Sequence, residues 1–172
     1  TGLVGTRTPY GVSRNPFDAR YIPGGSSSGS AVAVAAGLVC FALGTDTAGS
    51  GRVPAGFNNI VGLKPTRGRI SCAGVVPACR SLDCISVFAL TVEDATTVMA
   101  AASGPDAADP FSREIAPYSA PTPDGLCVGV PAAADLVFDG DGQAAEAFAH
   151  AVARLSALGV TVERFDMAPF RE

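Results

Sequence analysis

Two glycine-serine clusters constrain this chain more than any other feature: Gly24-Gly25-Ser26-Ser27-Ser28-Gly29-Ser30 and Ala48-Gly49-Ser50-Gly51. One apolar stretch separates them. Residues 30–38 are rich in Ala and Val and meet Gly37 near their end, which predicts a short buried helix. Residues 39–43 form a brief apolar run leading into Gly44, which predicts a buried strand. A helix and a strand joined by tight turns return the chain to where it started. Both clusters then lie at one end of a sheet, where open α/β sheets keep their sites.

The remainder alternates in the same way. Residues 52–58 predict a helical turn, and residues 60–63 and 69–71 predict extended segments around Lys64-Pro65-Thr66. Residues 86–90 read as a strand. Thr91 then caps a helix over 92–102, with Glu93 and Asp94 in its first turn, where the helix dipole favours acids. The proline-rich residues 105–123 predict a loop, and 126–130 a strand. Ala145, Phe148, Val152, Leu155 and Leu158 recur at helical spacing within 142–158, and Gly159 stops that helix. Residues 160–165 alternate as a strand. The order implies an α/β fold, a mixed twisted sheet flanked by helices. No internal repeat is present.

Composition excludes several functions. The chain has 172 residues, one domain's worth, and 48% of them are apolar, enough for a sizeable core. Charged residues make up 16% and the net charge is -4. Without a Lys/Arg run there is no signal for nucleic acid. No stretch reaches the roughly 20 apolar residues of a membrane-spanning helix. The five cysteines, Cys40, Cys72, Cys79, Cys84 and Cys127, include no C-x-x-C pair, which argues against zinc and against a disulfide framework. Cys40 and Cys127 sit in apolar runs and read as core residues, and a reducing, cytoplasmic compartment fits them. The chain opens on Thr1-Gly2-Leu3 and stops at Arg171-Glu172, so a piece of a longer protein is expected.

Chemistry centres on Ser50. Small residues at 48, 49 and 51 allow backbone N–H groups to approach a ligand, as in the oxyanion hole of an acyl-transfer enzyme. The plainer reading, that both clusters are turns or linkers, stays open on composition alone. A serine nucleophile needs a base. The one histidine, His150, falls in the middle of the late amphipathic helix and reads as a solvated or half-buried helix residue; the one lysine, Lys64, reads as structural. Asp106, Asp109, Asp139 and Asp141 read as solvated loop acids. A phosphate-binding P-loop, a G-x-S-x-G elbow around Ser50 and a complete calcium loop are all absent.

Taken together, the segments 24–27, 44–50, 52–55 and 62–66 resemble the signature of the amidase signature family in order and spacing. The resemblance is strongest over residues 1–95. It implies that Ser50 is the acyl-forming nucleophile and that Ser26, on a cis peptide bond, relays its proton. It implies an oxyanion hole from the N–H groups of Thr47, Ala48, Gly49 and Ser50, and a bracing role for Asp46 and Arg52. The family's base is a lysine well upstream of the first cluster, and Lys64 matches a structural lysine instead. Residues 1–172 are thus expected to be a partial amidase domain, without the upstream lysine region or the C-terminal part. Segments 1–10, 57–62 and 75–84 look like the family's allophanate-hydrolysing branch. General amidases usually carry Cys-Gly where Asn58-Asn59 stands here. The implied substrate is a small amide, allophanate, with no metal or organic cofactor, no nucleic acid and no membrane, a homodimer being among the assemblies open to the longer protein. The enzymatic alternatives are a general aliphatic amidase and the amidase component of a transamidosome-type glutaminyl amidotransferase. A fragment inactive on its own is the third.

Overall fold

A computed structural model describes residues 2–116 and 122–171, so the part of the predicted 105–123 loop at 117–121 lies outside the described residues. The chain forms two compact units, Thr1–Ala116 and Pro117–Glu172.

The first unit is built on α1 (Ser28–Ala35), β1 (Phe41–Thr45), α2 (Arg52–Phe57), β2 (Val61–Leu63), β3 (Ile85–Ala89) and α3 (Val92–Ala102). Its three strands pair antiparallel in the order β1-β3-β2, with Thr45 opposite Ile85 and Leu63 opposite Val87. Every residue of the central strand β3 is buried, and period-2 alternation divides its side chains between two cores. Ile85, Val87 and Ala89 pack with Ile70 and with Ala95 of α3. On the other face, Phe88 packs with Ala31 and Val34 of α1 and Ala55 of α2. The same aromatic ring therefore holds α1, which begins within the first cluster, and α2, which follows the second.

Local signals account for the helix ends. Thr91 has an extended backbone, and its hydroxyl accepts the Asp94 N–H, capping α3 as expected. In the second unit, β4 (Cys127–Pro131) and β5 (Thr161–Phe165) are parallel and connected through α4 (Gly142–Ala157). Gly159, with φ +88, takes the left-handed conformation after the last turn of α4.

Several expectations change. Residues 69–71 form no strand, yet Ile70 is buried: the apolar side chain reports burial and not a ladder partner. Cys40 and Cys127 are exposed and not in the core. Of the loop acids, Asp109 is buried and accepts the Cys72 and Phe111 N–H groups. Asp106 accepts from Ser71 and Ala108, and Asp141 caps α4 by accepting the Ala144 N–H. Each bonds backbone in its own turn, and Asp106 and Asp109 also tie that turn to Ser71 and Cys72 across 35 and 37 residues. Among the described residues no helix is long and apolar enough to cross a membrane.

Asn58, fully buried just past α2, ties the first unit together over a long sequence gap. Its Nδ2 donates to Pro23 O at 2.7 Å and to Pro54 O at 2.8 Å. Replacing it by Ala strips the donor from a carbonyl one residue before the first cluster, at a cost of about 1–3 kcal/mol. Chemical denaturation of the full-length Asn58→Ala protein is expected to show that loss, and an unchanged midpoint would refute the clamp.

Candidate active site

The first cluster is folded tightly onto its surroundings. The Gly25 N–H donates to Leu3 O at 2.6 Å, and Ser28 Oγ donates to Gly24 O at 2.6 Å. Gly24 has φ +68, and a Cβ there would stand 2.8 Å from Pro54 Cα; one on Gly25 would stand 2.5 Å from Gly2 O. Both glycines are thus demanded by close backbone approach. The Gly25–Ser26 peptide bond is cis, the form the resemblance implies for the relay serine. Ser26 is exposed and opens onto a cavity of about 330 Å³ that Arg7, Tyr10 and Ser13 also line.

Ser27 joins this cluster to the strand that leads into the second. Its Oγ donates to Thr45 O and receives the Thr45 N–H, both at 3.2 Å, at the end of β1. Gly44 makes the contact feasible, because a Cβ there would lie 2.6 Å from Ser27 Oγ. The first cluster is therefore held against the end of β1 from which the loop carrying the second cluster departs.

The second cluster is organised by Asp46. Its side chain is wholly buried, and its carboxylate receives five hydrogen bonds: from the N–H groups of Gly49 (2.7 Å), Gly51 (3.1 Å) and Arg52 (3.1 Å), and from Arg52 Nε (2.9 Å) and Nη2 (3.0 Å). Asp46 and Arg52 thus clamp the loop between β1 and α2. Ser50, half-buried, sits inside the clamp. Gly51 approaches Ser86 of β3 so closely that any side chain there would overlap the Ser86 hydroxyl.

The clamp alters the expected oxyanion set. The Gly49 N–H is spent on Asp46, while the N–H groups of Thr47, Ala48 and Ser50 have no hydrogen-bond partner among the described residues. Three of the four expected donors remain free. Thr47 is fixed instead through its side chain, whose Oγ1 donates to Asp83 Oδ1 at 2.5 Å. Asp83 is a residue to which sequence reasoning gave no role. The available signal was an acid between Leu82 and Cys84 at the edge of an apolar strand, where an ionised side chain must find partners or stay out.

The two other candidate bases have different surroundings. Lys64 is exposed, and its Nζ donates to Pro65 O at 3.0 Å. It lines an open cleft of about 430 Å³ with Arg52, Arg67 and Arg113. His150 is an exposed residue of α4 in the second unit.

A model of the Amidase family matches residues 1–172. The chain belongs to the amidase family. Among its relatives, the urea amidolyase of Saccharomyces cerevisiae is 47% identical over 177 residues, covering 100% of this chain. A component of the glutamyl-tRNA(Gln) amidotransferase of Chlorobium phaeobacteroides is 48% identical over 136 residues, 76% of this chain and 29% of that protein. A solved variant of Kluyveromyces lactis allophanate hydrolase superposes with a TM-score of 0.88 at 46% identity over 98% of this chain. The chain spans 9% of the length of the yeast urea amidolyase and 28% of the allophanate hydrolase. The likeness shows an amidase fold of mixed α/β type and an amide-hydrolysing family.

Electrostatics within this amidase core favour ionised Asp46. Burial alone would raise its pKa, but hydrogen bonds from the Arg52 side chain and the Gly49 and Gly51 N–H groups outweigh it, and the carboxyl is held below its ordinary value. A depressed folded pKa gives stability that is present above the ordinary carboxylate value of about 4 and is lost as pH falls through the folded value. The full-length protein is therefore expected to lose more unfolding free energy than its Asp46→Asn variant on acidification below about pH 4. Parallel losses in the two proteins, followed by denaturant titration, would remove Asp46 as the source.

Proposed function

We propose that these residues form the catalytic core of an allophanate hydrolase, acting through Ser50. The observation that carries the reading is the loop 46–52, in which a buried carboxylate closes the chain around one serine and leaves the Thr47, Ala48 and Ser50 N–H groups free. Ser50 Oγ attacks the amide carbonyl. Its proton passes to Ser26, and from Ser26 to a base that these 172 residues do not supply. The resemblance assigns that base to a lysine upstream. The free N–H groups receive the charge that builds on the carbonyl oxygen, and preorganised donors of this kind are usually the largest catalytic contribution. Ammonia leaves and water hydrolyses the acyl-enzyme. A small amide, here allophanate, is the substrate, with a further break-up of the product to ammonia and carbon dioxide. The chain alone, without the base, is expected to be inactive.

Support for allophanate over other amides comes from the match of nearly this whole chain to a part of urea amidolyase and a part of a solved allophanate hydrolase. Arg7 on the cavity that Ser26 faces adds a cation suited to an anionic amide. The amidotransferase relative supports a second reading, an enzyme component that draws ammonia from glutamine. Ammonia release measured across allophanate, glutamine and simple aliphatic amides separates the two. The full-length protein is expected to prefer allophanate and its Ser50→Ala variant to lose at least about a thousandfold in kcat, the scale set by loss of a nucleophile in related acyl-transfer sites. Preference for glutamine would overturn the substrate, and an active Ser50→Ala variant would overturn the nucleophile.

A further inference from the structure

We infer that Asp83 is a positioning residue for catalysis, its buried carboxylate holding the Thr47 hydroxyl and thereby setting the direction of the free N–H groups beside Ser50. The inference rests on the reading of 47–50 as the oxyanion-binding segment.

Asp83 is 6% exposed and lies in the turn before β3. Its carboxylate is met by donors from two directions. The Ala78 N–H donates to Oδ2 at 3.1 Å, and the Cys79 N–H reaches Oδ1 at 3.0 Å and Oδ2 at 3.2 Å. The Thr47 hydroxyl completes the set at 2.5 Å, across 36 residues of sequence. The turn that presents the carboxylate is itself closed, since the Leu82 and Asp83 N–H groups both donate to Cys79 O at 2.8 Å. Asp83 is thus a rigid acceptor fixed to the framework before it meets Thr47.

The loop entry is bonded to this stretch twice. The Asp46 N–H donates to Cys84 O at 2.8 Å, continuing the β1-β3 ladder one step past the Thr45–Ile85 pair. The Thr47–Asp83 bond then adds a side-chain rung beyond the backbone ladder. Thr47 is β-branched, so its χ1 is stiff and a fixed Oγ1 fixes the Cα–Cβ direction and with it the adjoining peptide planes. The far end of the loop is held by Asp46, which takes the Gly49, Gly51 and Arg52 N–H groups. The unpartnered N–H groups of Thr47, Ala48 and Ser50 therefore lie on a segment anchored at both ends by different carboxylates.

Electrostatics agree with this arrangement. Burial would raise the Asp83 pKa, but the Thr47 hydroxyl, the Cys79 and Ala78 N–H groups and the charge of Arg80 lower it on balance. Asp83 stays an acceptor at neutral pH, which is what the Thr47 O–H donor requires. The function of such an anchor is to hold donors where the oxyanion will form and not where the ground-state carbonyl sits, so its loss should appear in kcat and not in KM.

The test uses the full-length protein and, as probe, whichever of allophanate, glutamine and a simple aliphatic amide the wild type hydrolyses fastest. Thr47→Val, which keeps the shape and removes the hydroxyl, is expected to lower kcat about 10- to 100-fold with KM changed less than about threefold. Asp83→Asn is expected to do the same. The double variant is expected to be no slower than the slower single variant, the mark of two groups acting through one bond. Thr47→Ser, which restores the hydroxyl, is expected to recover most of the rate that Thr47→Val loses. Should Asp83→Asn fold poorly, Thr47→Val against Thr47→Ser decides alone. Wild-type kcat in Thr47→Val, multiplicative losses in the double variant, or a loss confined to KM would overturn the role of Asp83. Full activity in Ser50→Ala, or turnover of none of the probes by the wild type, would instead overturn the reading on which it rests.

Discussion

The carboxylate of Asp46 governs the rest of the site. An ionised carboxylate accepts hydrogen bonds and donates none, so once buried it must be surrounded by donors. Asp46 gathers three backbone N–H groups and two from the Arg52 guanidinium, and charge-assisted bonds of this kind are short and strong. Delivering those donors to one point dictates the path of the loop. Gly51 must be glycine because the closure drives the backbone against Ser86, and Gly49, at φ +131, must turn in a way a side chain resists. The start of α2 follows directly, since Arg52 is both a partner of the carboxylate and the first residue of that helix. Packing then carries the constraint outward, because α2 meets α1 and β3 at Phe88.

How much of this was legible in the sequence depended on the range over which each residue acts. Local signals are legible. The α3 boundaries, its Thr91 cap and the Gly159 stop follow from residues within one turn of each other. The helix over 28–35 and the strand over 41–45 are displaced by a few residues from their expected bounds, because apolar runs mark an element's middle better than its ends. Pairing was not legible. That β3 lies between β1 and β2, antiparallel to both, joins segments far apart in the chain, and nothing in an apolar run names its partner. Apolar neighbours also mislead about exposure. Cys40 sits beside an edge strand whose Phe41 and Leu43 are themselves exposed, so its surroundings in sequence are not its surroundings in space.

The site divides along the same line. Glycines and serines that act through backbone geometry declare themselves by type, and the cluster at 24–30 is tied through Ser27 to Thr45, at the strand end from which 48–51 follows. Side chains that act across the fold do not. Asn58 reaches Pro23 over 35 residues and Asp83 reaches Thr47 over 36, and in sequence each is one polar residue among many. Gly49 shows a subtler limit. Its residue type is right for an oxyanion donor, but the competing acceptor is visible only when the Asp46 side chain is seen folded back onto it.

That competition has an electrostatic consequence. Two ionised carboxylates stand close to a segment that, on the proposed reading, receives a third negative charge, and unscreened they would oppose it. Each is instead consumed by nearby donors: Asp46 by Arg52 and three N–H groups, Asp83 by Thr47 and the Ala78 and Cys79 N–H groups. The donors they take are those of residues 49, 51, 52, 78 and 79. The donors they leave are those of 47, 48 and 50. A loop of free N–H groups with no fixed anchor would be free to turn onto its own carbonyls. Held by carboxylates that saturate on their neighbours, it keeps a vacant set of donors in a fixed direction, and under the proposed mechanism the local charge is already balanced before a substrate carbonyl arrives.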